Sequence, residues 1–268
     1  MTVLIKYPKH TKKSLQDFIK RKDQELTNLD WAKWGGWWDT DGSFSTNFNK
    51  WKASWQRESA LSLRDRQPVE LFSKTFETSL TLQKHKTITP EPYRYEYIEN
   101  DLRGELRGEK AIWFTKNVYP FLIKQEKKDY AATLLGYRPE SKDFTIWTND
   151  EATHYLATVM EGDGCIRCAS GKKTKHLTTI IRSSDVQYLV DIKYLVEDKL
   201  GFMSYLSEGG TYKTRQGIKT KYGLSINCSL TGEAKINLGF FQSLVKDGVM
   251  TLDRKKQKVQ EFLNYKAA

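Results

Sequence analysis

Two short acidic runs recur along the chain, and their spacing limits the possible folds more than any bulk property does. DTDGSF at Asp39–Phe44 and EGDGCI at Glu161–Ile166 both read acid-x-Asp-Gly-small-apolar, 122 residues apart. A second pair follows in the same order. KKDYAATLLGYR, from Lys127 to Arg138, aligns without gaps on KKQKVQEFLNYK, from Lys255 to Lys266, at an offset of 128. Leu135 then matches Leu263 and Tyr137 matches Tyr265. Two anchors in one order within 268 residues mark an internal duplication. The chain is read as two copies of one supersecondary unit.

Each acidic run is preceded by a predicted helix. The second helix opens on the capping box T-N-D-E, Thr148 to Glu151, and the first on a weaker version, T-N-L-D, Thr27 to Asp30. In the first, Trp31, Trp34 and Trp38 recur at the spacing of a helix face. Gly35 and Gly36 interrupt it, each at a cost of about 1 kcal/mol relative to alanine. Gly36 and Thr40 are small residues four apart, and Thr158 and Gly162 hold the matching positions in the second copy. Small residues on facing surfaces let two helix backbones approach closely. Gly35, Gly36, Thr40, Thr158 and Gly162 are therefore expected where the two repeats touch, with the tryptophans filling the cores.

After Gly42, SFSTNFNKW alternates as a strand and SWQRESALSLRD reads as its hairpin partner. PVELFSKTFETSL is a predicted helix, and YRYEYIEN with EKAIWFTKN a predicted second hairpin. In the second copy, GCIRCAS and HLTTIIRSS form the first hairpin, VQYLVDIKYLVEDKL the helix, and GFMSYLSE with YGLSINCSL the second hairpin. The expected architecture is α+β, two αββαββα repeats over 27–138 and 148–268, joined by a polar, proline-containing linker at 139–147. The extension 1–26 is either an amphipathic helix through Leu15, Phe18 and Ile19 or a basic arm on nucleic acid.

A net charge of +11 and a pI near 9.3 favour a polyanionic partner. The basic residues cluster in strand-and-turn segments that contain no acid. Gly164–Ser184 holds Arg167, Lys172, Lys173, Lys175 and Arg182; Gly209–Gly232 holds Lys213, Arg215, Lys219 and Lys221. Gly42–Arg57 holds Lys50, Lys52 and Arg57, and Lys84 and Lys86 extend the set. Edge strands carry lysine to prevent aggregation, which explains one such segment more easily than three. A basic sheet face laid along a nucleic-acid backbone explains them all. By alternation Phe44 and Phe48 point to the core, leaving Ser43, Ser45, Asn47 and Asn49 outward. Leu224, Ile226 and Cys228 likewise point inward, with Ser225, Asn227 and Ser229 outward. Outward polar side chains on a β-ribbon can hydrogen-bond base edges in a major groove.

No apolar run approaches the ~18 residues of a membrane span. MTVLIKYPKHTKK has no signal-peptide core, and Cys165, Cys168 and Cys228 make no disulfide framework, so an intracellular setting is expected. Cys165 and Cys168 form a lone C-x-x-C without a second pair at zinc spacing.

Asp41 and Asp163 fall at the C-terminal ends of the predicted helices, each before a glycine suited to end one. A carboxylate there opposes the helix dipole. A divalent cation would reverse that balance, and carboxylate and carbonyl oxygens are what Mg²⁺ prefers. An EF-hand fails, because its first and last ligand positions would be Trp37 and Phe48. Two acids with bound metal can activate water and stabilise a leaving oxygen in phosphodiester hydrolysis. Lys127 and Lys255 would stabilise the developing negative charge.

With these residues in view the chain resembles the LAGLIDADG homing endonucleases of the single-chain, two-repeat kind. The nine-residue motif corresponds to WGGWWDTDG, Trp34–Gly42, and LATVMEGDG, Leu156–Gly164; the first copy keeps only part of the signature but both keep its ending. The resemblance implies a pseudo-twofold pair of repeats whose sheets form a saddle in the major groove of double-stranded DNA. It implies Mg²⁺-dependent cleavage of both strands of a long target, with Mn²⁺ or Ca²⁺ able to substitute in binding, by a monomer. Asp41 and Asp163 match the metal-binding acids, and the carbonyls of Thr40 and Gly162 the positions just before them. Lys127 and Lys255 match the basic residue at the edge of the active site, with Lys128 and Lys256 as neighbours. A polar residue that holds water at the end of the second strand corresponds to Leu63 and Ser183, and Leu63 departs from the pattern. Two other readings share the fold: a maturase that binds intron RNA, and a DNA-binding regulator that does not cleave.

Overall fold

A computed structural model describes residues 2–7, 11–49, 54–88, 96–170, 175–214, 217–229 and 233–264. The chain begins with β1 (Thr2–Ile5), α1 (Lys12–Glu25) and α2 (Asn28–Thr40). The order then runs β2 (Gly42–Asn49), β3 (Ser54–Leu63), α3 (Arg66–Phe76), β4 (Leu80–Ile88), β5 (Glu96–Arg107), α4 (Glu109–Val118) and α5 (Gln125–Leu135). The second copy runs α6 (Asn149–Gly162), β6 (Gly164–Ser170), β7 (Lys175–Ser183), α7 (Val186–Tyr194), β8 (Tyr205–Thr214), β9 (Gly217–Ser229), α8 (Leu238–Leu244) and α9 (Asp253–Leu263).

The duplication is visible in the sheets. One has the order β1-β4-β5-β3-β2 and the other β8-β9-β7-β6, all antiparallel. Without β1 the two orders are identical. Their registers also agree: Gly42 pairs with Leu61 and Leu61 with Gly104, as Gly164 pairs with Ile181 and Ile181 with Leu224. Where the second sheet has Leu224, the first has Gly104, and the ring of Phe72 fills the gap, 2.8 Å from where a Cβ would stand.

Within the N-terminal extension the described residues form β1 and α1. Thr11 caps α1 through its hydroxyl, which accepts from Ser14 N at 3.2 Å. Phe18 of α1 is buried edge-on against Trp113 of α4, and the Trp113 indole N–H donates to Asp23 at 2.7 Å. β1 pairs with the first residues of β4 and so covers the edge of that sheet.

Three expectations are corrected. Glu109–Asn117 is helix, not the second arm of a hairpin; that hairpin is β4 with β5. Gly108 stops β5 with φ +59°, and burial of Ala111, Phe114 and Val118 follows a helical stripe. Phe48 keeps the face of Phe44 but is 50% exposed, because it lies near the far end of β2, stacked edge-on against Trp55. Ser229 is buried, at the end of β9. Leu224, Ile226 and Cys228 point inward, as expected. No helix among the described residues is long and apolar enough to cross a membrane.

By contacts the chain forms two compact units. One comprises Met1–Thr27, Asp41–Tyr119 and Glu126–Pro139; the other comprises Asn28–Thr40, Pro120–Gln125 and Glu140–Ala268. Helix α2, which belongs to the first repeat by sequence, is therefore built into the second unit, as is the short segment before α5.

Candidate functional site

The site is built on the pairing of α2 with α6. The capping box at the start of α6 is formed: Thr148 Oγ1 accepts from Glu151 N, and the Glu151 carboxylate accepts from Thr148 N at 2.7 Å. The two helices pack where their small residues face. A Cβ on Gly36 would overlap the Thr158 hydroxyl and stand 2.5 Å from Tyr155 O. The Thr158 hydroxyl lies 2.9 Å from Lys33 O, so a polar contact accompanies the close approach. Gly35 is tight for a different reason. Its missing side chain makes room for Phe121, whose Cβ would be 2.7 Å away. Thr40 turns its hydroxyl back on its own helix, 3.1 Å from Gly36 O, and Gly162 is half-buried. Trp37 and Trp38 are fully buried.

The first acid of each motif has a clear structural role. Asp39 is buried, and its Oδ2 accepts from Ile123 N at 2.6 Å and from the Tyr155 hydroxyl at 2.5 Å. Glu161 is its counterpart, accepting from Thr251 N and Leu252 N. Each carboxylate thus pins the backbone just before the last helix of its repeat. Burial pushes Asp39 up to about 6 and Glu161 up to about 7, opposed in both cases by the hydrogen bonds they accept.

The paired lysines lie where the motif helices meet the sheets. Lys255 is 6% exposed, and its ammonium donates to Met160 O at 2.8 Å, Glu161 O at 2.5 Å and Gly164 O at 2.7 Å. Those carbonyls include the open end of α6, where a cation also suits the helix dipole. Lys127 donates to Gly42 O, the equivalent of Gly164. Both lysines therefore tie the last helix of a repeat to the start of its first strand.

The second acids are placed differently. Asp41 is half-buried in the turn after α2. Asp163 caps α6, donating its backbone N–H to Val159 O, and its carboxylate meets the ammonium of Lys124 at 3.3 Å. Lys124 also lies over the ring of Tyr188, 4.4 Å from its centroid. Sequence reasoning passed over Lys124 because it has no repeat partner: at the offset of 128 its counterpart is Leu252, which is buried. One short segment consequently touches the ends of both motif helices, through Ile123 on Asp39 and Lys124 on Asp163. At the ends of the second strands, Ser183 accepts from Asp185 N at 3.0 Å, whereas Leu63 offers no hydrogen-bonding group.

The expected nucleic-acid contacts separate by face. Ser43, Ser45 and Asn47 alternate away from Phe44, and Ser43 bonds back to Ala60 O. Arg57 and Lys84 instead share the alternation of Leu61 and Leu82, towards the helix-covered side. Arg167, Arg182, Lys221, Ser225 and Asn227 alternate outward from the second sheet, opposite Ile166, Ile181 and Ile226. The strand residues Asn49, Lys86, Lys213 and Lys219 have side chains outside the described set, and Lys50, Lys52, Lys172, Lys173 and Arg215 lie outside the described residues. On the outward face of the first sheet, Arg103 and Arg107 each pair with Glu58 and Glu105. Cys165 and Cys168 are exposed, and burial pushes the Cys228 thiol up to about 11.

No protein-family profile matches the chain, and no curated protein does. Solved structures resemble it over most of its length. The LAGLIDADG meganuclease I-AabMI bound to uncleaved DNA shares 14% identity, covers 88% of this chain and 89% of its own, and gives a TM-score of 0.49. The homing endonuclease I-WcaI bound to its DNA recognition sequence shares 16%, covers 94% of each chain and gives 0.47. The N-terminal LAGLIDADG domain of DUF199/WhiA shares 9%, covers 96% of this chain and all of its own, and gives 0.39. Two sheets that share one four-strand order, each following a helix and an acid-x-Asp-Gly turn, are what the sequence resemblance implied, and LAGLIDADG homing endonucleases are among the solved structures that this chain is similar to.

Proposed function

We propose that the protein is a site-specific endonuclease that hydrolyses both strands of a long double-stranded DNA target, acting as a monomer. One observation carries this reading: each repeat passes from its first helix through an acid-x-Asp-Gly turn, with Asp41 or Asp163, directly into the first strand of a sheet of the same four-strand order. Asp39 and Glu161 each hold backbone amides, which accounts for a buried carboxylate. Asp41 and Asp163 occupy the end of a helix where the dipole disfavours negative charge. Duplex binding alone does not need them there. Among the described residues no three acidic, histidine or cysteine side chains gather as a metal cage. Mg²⁺ does not require one, since it retains water and takes one or two carboxylates together with substrate phosphate.

Asp163 faces the Lys124 ammonium at 3.3 Å, an ion pair that a divalent ion binding there would have to open. Asp41 beside the carbonyl of Thr40, and Asp163 beside that of Gly162, would each offer a carboxylate to a divalent ion. When bound, that ion would activate water and stabilise the leaving oxygen of the scissile phosphate. Lys124 would neutralise developing charge at the phosphate beside Asp163. Lys127 and Lys255 keep the helix ends and strand starts in fixed geometry on which the acids depend. The outward cations Arg167, Arg182 and Lys221 would engage the DNA backbone.

The test is a cleavage selection from a randomised duplex library with Mg²⁺, followed by assay of the enriched target. Wild-type protein should cut both strands at fixed positions, and Asp41→Asn or Asp163→Asn should bind without cutting. Folded wild-type protein that binds the enriched duplex and leaves it intact with both Mg²⁺ and Mn²⁺ would refute the reading.

A further inference from the structure

The outward face of the second sheet contains a recess with a glycine floor. Gly223 of β9 pairs with Arg182 of β7 on one side and Ser207 of β8 on the other. Gly209 and Gly210 lie where the β8–β9 register breaks, between Glu208 and Thr211, and widen the same depression. Its walls include Ile180, Arg182 and Lys221. Leu177, Thr179 and Ile181 of β7 are buried, so Ile180 and Arg182 alternate to the opposite side.

Ile180 is the anomaly on this face. Its neighbours there are Cys165 and Ser225 across the strands and Thr178 and Arg182 along its own, yet it is a half-buried aliphatic residue that contributes nothing to the core. Its Cγ2 stands 3.5 Å from where a Gly223 side chain would begin, so it leans over the glycine floor. The recess thus offers one apolar wall, an open floor and flanking cations. In a major groove the 5-methyl group of thymine is the apolar group that base edges display.

We propose that this recess reads a single thymine in the target, with its methyl group packed on Ile180 above Gly223. Arg182 and Lys221 hold the flanking backbone. The inference rests on the duplex-DNA reading above and adds the base and the residues that recognise it.

Duplexes enriched by binding provide the test. Each thymine in the enriched sequence is replaced in turn by deoxyuridine, which removes only the methyl, and affinity is measured for wild type, Ile180→Ala and Gly223→Ala. Gly223→Ala is a safe probe, because its Cβ meets only ordinary contacts at 3.5 and 3.7 Å. One deoxyuridine position should weaken wild-type binding about four-fold, the effect of one buried methyl, and leave both variants unaffected. A duplex with no sensitive position, or a penalty that persists in Ile180→Ala, overturns the proposal while leaving the nuclease reading intact. A protein that enriches no duplex overturns both.

Discussion

Gly36 shows how much one missing methyl controls. The site of its absent Cβ is occupied by the Thr158 hydroxyl and approached by Tyr155 O at 2.5 Å, and neither helix can yield without disturbing the other. Gly36→Ala should lower the urea midpoint by the equivalent of about 1–3 kcal/mol, the usual cost of overpacking. Gly210→Ala is the control: a Cβ there meets open space, so the midpoint should stay put. Lys110 supports a second prediction, in pH. Its ammonium donates to Phe76 O and Glu77 O at the end of α3 and lies over the Phe18 ring, and burial lowers it to about 8. The folded protein then releases this proton near pH 8, while the unfolded chain holds it to about 10.5. Across that window the unfolded state binds more protons, so the contribution of Lys110 to stability rises with pH. Thermal melts from pH 7.5 to 10 should show wild type gaining on Lys110→Met; parallel curves would contradict the assignment. At this scale the sequence was legible where sterics decide. Gly36 opposite Thr158 followed from the small residues, but Gly35 against Phe121 depends on a segment 86 residues away and left no local trace.

Elements were legible wherever one signal acted alone. The capping box fixed the start of α6, and the alternation of Leu224, Ile226 and Cys228 fixed the inward face of β9. Glu109–Asn117 is ambiguous, since its continuous apolar run Ala111–Phe114 fits a short buried strand as well as a helix, and the positive φ of Gly108 separates β5 from α4. The lysine pair was legible as a repeat but not as a device, because the carbonyls it serves become neighbours only after folding. Those bonds set a graded prediction. Lys255 is buried with its ammonium on three carbonyls, so Lys255→Met removes that donor where water cannot replace it, whereas Lys127 is half-buried and water can replace part of what Lys127→Met removes. An unsatisfied buried polar group costs about 1–3 kcal/mol. Lys255→Met should therefore be the more destabilising of the two in denaturant titrations. Equal and unchanged midpoints, with cleavage abolished in both, would instead mark the pair as acting on substrate.

For the molecule as a whole, the duplication in sequence and the division into compact units do not coincide, because α2 is built into the unit that carries α6. Asp41 then belongs to one unit and Asp163 to the other, and the two acids need not be equivalent. The sequence hinted at such inequality through Leu63, opposite Ser183 in the alignment of the halves. The structure gives a larger difference. Asp163 has the Lys124 ammonium at 3.3 Å, and the position equivalent to Lys124 is the buried, uncharged Leu252. A preorganised cation at a phosphate that gains charge lowers the barrier by an amount that leaving it out makes measurable, on the order of 100-fold in rate. On a supercoiled plasmid carrying the target, the strand attended by Asp163 should be cut first, so a nicked circle broken on that strand should accumulate before the linear form. Lys124→Met should slow that cut by about 100-fold and change the other strand little, turning the order around. Equal slowing of both strands would mean that Lys124 supports the shared framework and does not act at one phosphate.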